Sequence, residues 1–349
     1  MDQGLAQPTP DASVPVITLK GDETLAALAA MKEDSRLRIS SDTDTNPIRE
    51  VTEGDYTFSE YADHSWSITG YNGAGGEITL PTKVENKAVY VVGNKIFSKY
   101  DKSKITGITV PEGIGIVGGR LLDSLTALKK LALPQSLTYI GELRNLGLEN
   151  LDGLAKANQL LDLSILDMPM LNDVSGVGNL TNLTSLTISN CLKVSDVSAV
   201  GKLTQLKRLN ISGGSSYSSS NSKPPTISDL SDISALKTLV NLERLSINNN
   251  SIVDISALGA MKNLKTLDIA YNAQLSNIKP LAGFEDLDTL NVNNTKVMDL
   301  FPLSKISTLK VLSLENCGIT SIDALKDLTD LISLNLKGNS GLKDISVLK

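Results

Sequence analysis

Histidine is almost missing from this chain: His64 is the only one in 349 residues. Cysteine occurs twice, tryptophan once, and aromatic residues total 4%. One imidazole and no Cys-x-x-C leave too few ligands for a zinc site or a redox pair. No nucleophile motif stands near His64, whose neighbour of note is Trp66. No Gly-rich phosphate loop follows a strand-like run, since Gly115, Gly118 and Gly119 belong to a recurring turn. Catalysis and cofactor binding therefore have no residues to rest on, and the expectation is a non-enzyme without a cofactor or metal. No apolar run reaches the roughly 18 residues of a membrane-crossing helix, and no N-terminal run has the form of a signal peptide. Lysine and arginine form no cluster and the net charge is −6, which disfavours nucleic acid as a partner.

Leucine, in contrast, is abundant and periodic. From residue 180 to residue 348 one phrase recurs about seven times, as Leu264, Leu267, Ile269, Asn272, then Leu287, Leu290, Val292, Thr295, then Leu309, Leu312, Leu314, Cys317. The last position of the phrase falls at Cys191, Gly214, Asn250, Asn272, Thr295, Cys317 and Asn339. The steps are about 22 residues, apart from a longer one between Gly214 and Asn250. Leu-x-Leu has period two, so both side chains point to one face of a short strand. No helix face collects residues two apart. A single phrase cannot bury its leucines alone, whereas stacked copies cover one another, each buried Leu or Ile adding roughly 1.5–3 kcal/mol. The last residue of the phrase meets inward-facing backbone groups as the chain leaves the strand, and Asn can donate and accept there.

That period is the leucine-rich repeat signature. The expected fold is a leucine-rich repeat solenoid, a right-handed β/α superhelix. Strands would line its concave face, mostly turns or 3₁₀ segments its convex face, and a small α/β cap would cover its N-terminal end. Cys191 and Cys317 share one slot five repeats apart. With strands about 4.8 Å apart they stand more than about 20 Å from each other, too far for a disulfide, so both read as buried free thiols.

Residues 1–15 read as a flexible polar stalk of a mature secreted chain, its signal peptide removed upstream of an added Met1. Residues 16–60 read as the cap, with strands near Val16–Leu19 and Leu37–Ile39 and a helix from Asp22 to about Lys32. Asp42, Asp44, Asn46 and Glu53 fall at positions 1, 3, 5 and 12 of a calcium-loop pattern, but Pro47 stands where the loop needs Gly. A polar connector is the stronger reading of that stretch.

Between residues 61 and 141 the units differ. Ile105, Ile108, Val110, Pro111, Ile114, Val117, Gly118 and then Leu128, Leu131, Leu133, Pro134, Leu137, Ile140, Gly141 superimpose position by position, one repeat length apart, with proline ending each strand. This resembles the BspA-like class of bacterial leucine-rich repeats, whose strand, proline and turn are followed by a hydrophobic-x-x-Ile-Gly segment. A transition follows. Leu143, Leu146, Leu148 and Leu151 read as a short repeat, and Leu160, Leu163, Ile165 and Met168 as a degenerate one. From residue 160, and most clearly from residue 180, the chain resembles the repeats of internalins. The likeness rests on Leu-Thr-Asn-Leu-Thr-Ser-Leu at 180–186 and on turns such as Asp196-Val197-Ser198-Ala199-Val200 and Asp254-Ile255-Ser256-Ala257-Leu258. It implies a bacterial surface protein that binds a host partner, without naming the receptor. The domain reading is therefore stalk 1–15, cap 16–60, BspA-like repeats 61–141 and internalin-like repeats 142–349.

Residues alternating with the leucines should face the concave side in columns. One runs Ser185, Arg208, Arg244, Thr266, Thr289, Val311, Ser333; the next Thr187, Asn210, Ser246, Asp268, Asn291, Ser313, Asn335; the third Ser189, Ser212, Asn248, Ala270, Asn293, Glu315, Lys337. The candidate ligand-binding residues are Arg208, Asn210, Arg244, Ser246, Asn248, Asp268, Asn291 and Asn293, with Tyr217 from the longer step, an insertion over 213–226. Arg208 beside Arg244 is a like-charge pair that needs an answer. It comes either from an anionic ligand or from a local acid such as Glu243 or Asp268. The insertion is either a binding loop or a tolerated Ser/Gly-rich excursion. Three functions fit: a monomeric secreted or surface module that binds a protein or glycan, an adhesin; a spacer displaying another domain; or an intracellular scaffold. Asn-x-Ser/Thr sequons at Asn182, Asn210 and Asn293 would place glycans on or beside the concave face, which argues against eukaryotic secretion.

Overall fold

The computed structural model describes residues 47–62, 64–93, 96–214 and 226–348. The stalk and the strand–helix–strand expected over 16–39 lie outside these residues, as do Asp42, Asp44, Asn46 and Tyr217. The described part of the cap is a β-hairpin, which the first strand of the next unit extends into a meander. β1 (Arg49–Glu53) and β2 (Tyr56–Glu60) pair antiparallel, and β2 pairs with β3 (Trp66–Tyr71). The polar connector expected through Glu53 is thus β1 from Arg49 onward, because each of its residues finds a ladder partner on β2. Phe58, Trp66, Ile68 and Tyr71 point inward and close the first end of the core.

From here the chain winds through parallel strands. β4 (Gly76–Thr79) is followed by the short pair β5 (Lys83–Val84) and β6 (Lys87–Ala88), then β7 (Val91–Val92), β8 (Ile105–Thr109), β9 (Ile116–Val117), β10 (Lys130–Ala132), β11 (Tyr139–Ile140) and β12 (Leu143–Arg144). The proline-ended strands β4, β8 and β10 form one three-stranded sheet, while the Ile-Gly segments β7, β9 and β11 extend the meander into a six-stranded one. The second long sheet has nine strands, opened by β12 and continued by β13 (Asp162–Leu166), β14 (Ser185–Ser189), β15 (Arg208–Ser212), β16 (Arg244–Ser246), β17 (Thr266–Asp268), β18 (Thr289–Asn291), β19 (Val311–Ser313) and β20 (Ser333–Asn335).

The junction corrects the sequence reading. The frame Leu143, Leu146, Leu148, Leu151 predicts that the strand lies around Leu146–Leu148. Instead Leu143 pairs with Ile165, and Leu148 and Leu151 lead into the 3₁₀ turn Asp152–Leu154. β11 and β12 are one stretch of chain, so the Ile-Gly segments, and not the proline-ended strands, carry the strand row into the later repeats. The Ile-Gly segments are therefore sheet strands. The proline-ended row continues as 3₁₀ turns, with the Leu133 N–H donating to Gly153 O at 2.9 Å. Four leucines spaced three, two and three fit either frame; backbone pairing selects one.

Beyond β13 the expected plan holds. Core side chains of successive repeats form one continuous cluster from Phe58 to Leu328, with the leucines of the last repeat, Leu331, Leu334 and Leu336, half-buried against it. The side opposite the strands carries 3₁₀ turns such as Ser175–Asn179, Ser198–Lys202, Ser234–Thr238 and Ser256–Ala260. Asp173, Asp196, Asp232 and Asp254 each accept the N–H of the first residue of their turn at 2.7–2.8 Å. A short acidic side chain does this without burying its own charge.

Candidate functional site

The strand faces are built in the predicted register. Ser185, Arg208, Arg244, Thr266, Thr289, Val311 and Ser333 stand opposite one another in successive pairs, as do Thr187, Asn210, Ser246, Asp268, Asn291, Ser313 and Asn335. The third column leaves the ladder after Ser212. Its residues still accept from the preceding strand exit, as when the Asn249 N–H donates to Ala270 O at 3.0 Å and the Tyr271 N–H to Asn293 O at 2.7 Å. Ala270 itself is buried.

At the strand exit lie two ladders. The slot residues turn inward as expected. Asn272 Nδ2 donates to Ile247 O at 3.0 Å and Ile269 O at 2.9 Å, and its Oδ1 accepts the Ile252 N–H at 3.0 Å. Thr295 and the Cys317 thiol reach Val292 O at 2.7 and 3.2 Å. Both cysteines are buried and unpaired. Burial pushes the Cys191 thiol up to about 12 and raises that of Cys317. The second ladder escaped the sequence reading. One residue before the slot, Asn145, Asp167, Asn190, Asn249, Tyr271, Asn294 and Asn316 all have φ between 51° and 57°. Its signal was visible, because asparagine recurs there and tolerates the left-handed region best among residues with a side chain.

Many of the candidate side chains are committed within the fold. Asp268 Oδ1 accepts the Ala270 N–H at 3.1 Å and Oδ2 accepts Asn248 Nδ2 at 2.7 Å, while Asn248 Nδ2 also meets Ser246 Oγ at 2.9 Å. Burial raises the Asp268 carboxyl above its ordinary value, partly offset by the Asn248 bond. Asn291 Oδ1 accepts the Asn293 N–H at 3.2 Å, and Asn293 Oδ1 the Glu315 N–H at 2.7 Å. These groups shape the end of the sheet more than they offer bonds to a ligand.

The arginines are different. Arg208 and Arg244 are direct cross-strand neighbours, as predicted. The local answer is neither Glu243 nor Asp268, since Glu243 pairs with Lys265 at 3.3 Å and Asp268 with Asn248. Arg208 instead leans back across Ser185 to Asp162, at 3.7 Å. Arg144, in the third column, is held by Glu142 at 3.0 Å and Asp167 at 2.7 Å, and Lys337 by Glu315 at 3.1 Å. Among the described residues, Arg244 is the one cation of these columns without an ion pair, and it is exposed. One diagonal away, the Asn210 side-chain oxygen is buried with no hydrogen-bond partner among the described residues. Burial raises the phenol of the half-buried Tyr139, and the charges of Glu142 and Asp162 add to that rise. Asp162 and Tyr139 lie one and two repeat lengths before Ser185, so simple subtraction would have found both.

A family model described as Leucine Rich repeats, in two copies, matches residues 307–349. No curated protein matches the chain. Among solved structures the chain is similar to an internalin, InlF, from Listeria monocytogenes, at 19% identity over 81% of this chain and 83% of that one, with a TM-score of 0.52. It is similar also to internalin C2 from the same organism, at 28% identity over 54% of this chain and 76% of that one, with a TM-score of 0.47. A leucine-rich repeat protein of Leptospira interrogans is 15% identical over 76% of this chain and 68% of that one, with a TM-score of 0.47. The fold is a leucine-rich repeat solenoid. Its long parallel sheet, 3₁₀ turns and inward asparagines are the parts of one repeat, wound again and again. No helix among the described residues is long and apolar enough to cross a membrane.

Proposed function

We propose that this chain is a noncatalytic recognition module of a secreted or cell-surface bacterial protein, and that it holds a protein or glycan partner, host-derived in the adhesin reading, against its concave strand face. The observation that carries the reading is Arg244, exposed and unpaired in a face whose other cations, among the described residues, are all neutralised. A like-charged pair kept in direct register costs energy unless something answers it, and a ligand anion would. A noncatalytic role is supported by the state of the reactive groups: both thiols are buried and raised, and His64 rests on Glu60 at 3.2 Å. Residues 61–141 we read as BspA-like units and 142–349 as internalin-like ones.

The spacer reading keeps one observation in its favour, namely that Asn248, Asp268, Asn291 and Asn293 spend their bonds inside the repeat. The two are separated by a binding screen on the immobilised full chain against extracellular proteins and glycans, beside a variant with Thr266→Trp and Thr289→Trp. Partners lost in the blocked variant support recognition on this face. No partner at micromolar protein, with the fold intact by circular dichroism, establishes the spacer instead.

A further inference from the structure

We infer that the concave face of the earlier repeats carries a tyrosine strip that takes a proline-rich polypeptide in the polyproline II conformation, with a basic residue at the end nearest Asp162; this rests on the concave-face reading above and names a partner class for it. Four features converge. The first is the strip itself. β3, β7, β9 and β11 set Ser67, Val91, Ile116 and Tyr139 in register, and Ile68, Val92, Val117 and Ile140 in the next row. The second row is buried in the core, so by alternation the first faces outward. Ser67 and Ile116 are nevertheless only 4% and 5% exposed. Ser67 Oγ donates to the Tyr61 oxygen at 3.2 Å, so the Tyr61 ring reaches over β3. A Cβ on Gly115 would sit 1.8–2.2 Å from the tip of the Tyr90 ring, so that ring crosses from β7 to the start of β9. Tyr139 follows on β11. All three tyrosines are half-buried and accessible, and aromatic rings are what interfaces use as anchors. The second feature is spacing. Tyr61 over β3 and Tyr90 over β9 reach points two strands apart, about 10 Å from strand spacing and a one-residue offset. One polyproline II turn rises about 9.3 Å, so every third residue of such a helix meets a ring, whereas same-face residues of an extended strand recur at about 6.6 Å. The third is the donors. The hydroxyls of Tyr90 and Tyr139 are neither bonded among the described residues nor buried. Polyproline II carbonyls are unbonded along their whole length and accept such donors. The fourth is charge. Glu142 and Asp162 lie close enough to Tyr139 to raise its phenol. With Asp167 they set three carboxylates at this end of the strip against the two guanidiniums of Arg144 and Arg208. That balance favours a cation, which the face of the Tyr139 ring also attracts.

The test is binding of four defined probes to the full chain by isothermal titration calorimetry. They are an oligoproline flanked by arginines, the same oligoproline flanked by glutamates, an arginine-flanked Gly-Ser peptide of equal length, and cellohexaose. Variants are Tyr90→Phe and Tyr139→Phe, which remove a hydroxyl and keep the ring, Val91→Arg, which sets a charge in the middle of the strip, and Tyr271→Phe as a control tyrosine on a later repeat. Circular dichroism checks the fold of each. The expected result is binding of the arginine-flanked oligoproline, weaker binding of the glutamate-flanked one, and no heat from the other two. Affinity should fall about three- to tenfold in Tyr90→Phe and in Tyr139→Phe, as for loss of a neutral hydrogen bond. It should fall further in Val91→Arg, stay unchanged in Tyr271→Phe, and weaken with added salt. A Gly-Ser peptide that binds as tightly means that charge alone is read, and overturns the polyproline II partner. Cellohexaose binding that is lost in Val91→Arg, with no binding of either oligoproline, overturns it in favour of a saccharide. Equal binding of the two oligoprolines overturns the basic end. Binding of no probe, or binding indifferent to all the strip variants, overturns the site. The wider reading survives that failure if the screen finds a partner lost in Thr266→Trp with Thr289→Trp, which leaves the tyrosine strip in place.

Discussion

At the scale of single residues, the structure separates asparagines that look alike in the sequence. Asn272 is fully buried and satisfies three backbone groups, so Asn272→Ala should lower stability by roughly 2–4 kcal/mol in urea titration, because each abandoned buried group carries its own desolvation cost. A loss below about 1 kcal/mol would mean that the slot is not a bonding position. Tyr271 makes the opposite case. It holds a φ of 57° where neighbouring repeats place Asn249, Asn294 and Asn316. Tyr271→Asn should therefore stabilise by about 0.5–1 kcal/mol, since asparagine enters the left-handed region more cheaply. The thiols at 191 and 317 should resist a disulfide reagent in the folded protein and react in denaturant. Burial both blocks access and holds Cys191 at about 12. Fast labelling without denaturant would contradict their burial.

At the scale of elements, the passage from proline-ended strands to 3₁₀ turns depends on close backbone contact. A Cβ on Gly153 would sit 1.4 Å from Leu131 O, the strand on one side of the joint, whereas at Gly259 it would come no nearer than 3.8 Å to Pro280 O. Gly153→Ala should cost about 1–3 kcal/mol or more in thermal or urea unfolding, as overpacking against backbone does. Gly259→Ala should be near neutral. Equal effects would show that the junction does not need the contact. The base of the insertion has the same character. A Cβ on Gly213 would sit 1.9 Å from Asn249 O, and the Gly214 N–H donates to Thr226 O at 2.6 Å.

At the scale of the whole molecule, charge sets how the solenoid responds to acid. Backbone N–H groups of Ser198, Ser234 and Ser346 hold Asp196, Asp232 and Asp344 below the ordinary carboxylate range. Their contribution is present above the unfolded value, near 4, and is lost as pH falls through the lower folded values. Asp268 is raised by burial, so its contribution has the reverse sign and fades as pH rises through its folded value. Asp101, Glu112 and Glu315 are held low as well, so among the described residues six depressed carboxylates stand against one raised, and the melting temperature should drop on acidification below about pH 4; a rise there would reverse the assignment. The solenoid itself was legible in the sequence. Period-two leucines recurring once per repeat length admit one architecture, and the same arithmetic placed Arg208 beside Arg244 and both cysteines in buried slots. Register follows from periodicity because a slip of one residue would turn every leucine to solvent. Three things were not legible. Leu143, Leu146, Leu148 and Leu151 satisfy two frames, and only backbone pairing chose between them. Whether Asn210 or Asn291 is free depends on a neighbouring N–H that no spacing reveals. Arg208 and Arg244 are the same residue type in the same column, yet one is neutralised by Asp162 two strands away and the other is not. Periodicity fixes which side chains share a face; the bonds each one has left for a ligand depend on distances across strands, and these exist only once the chain has wound.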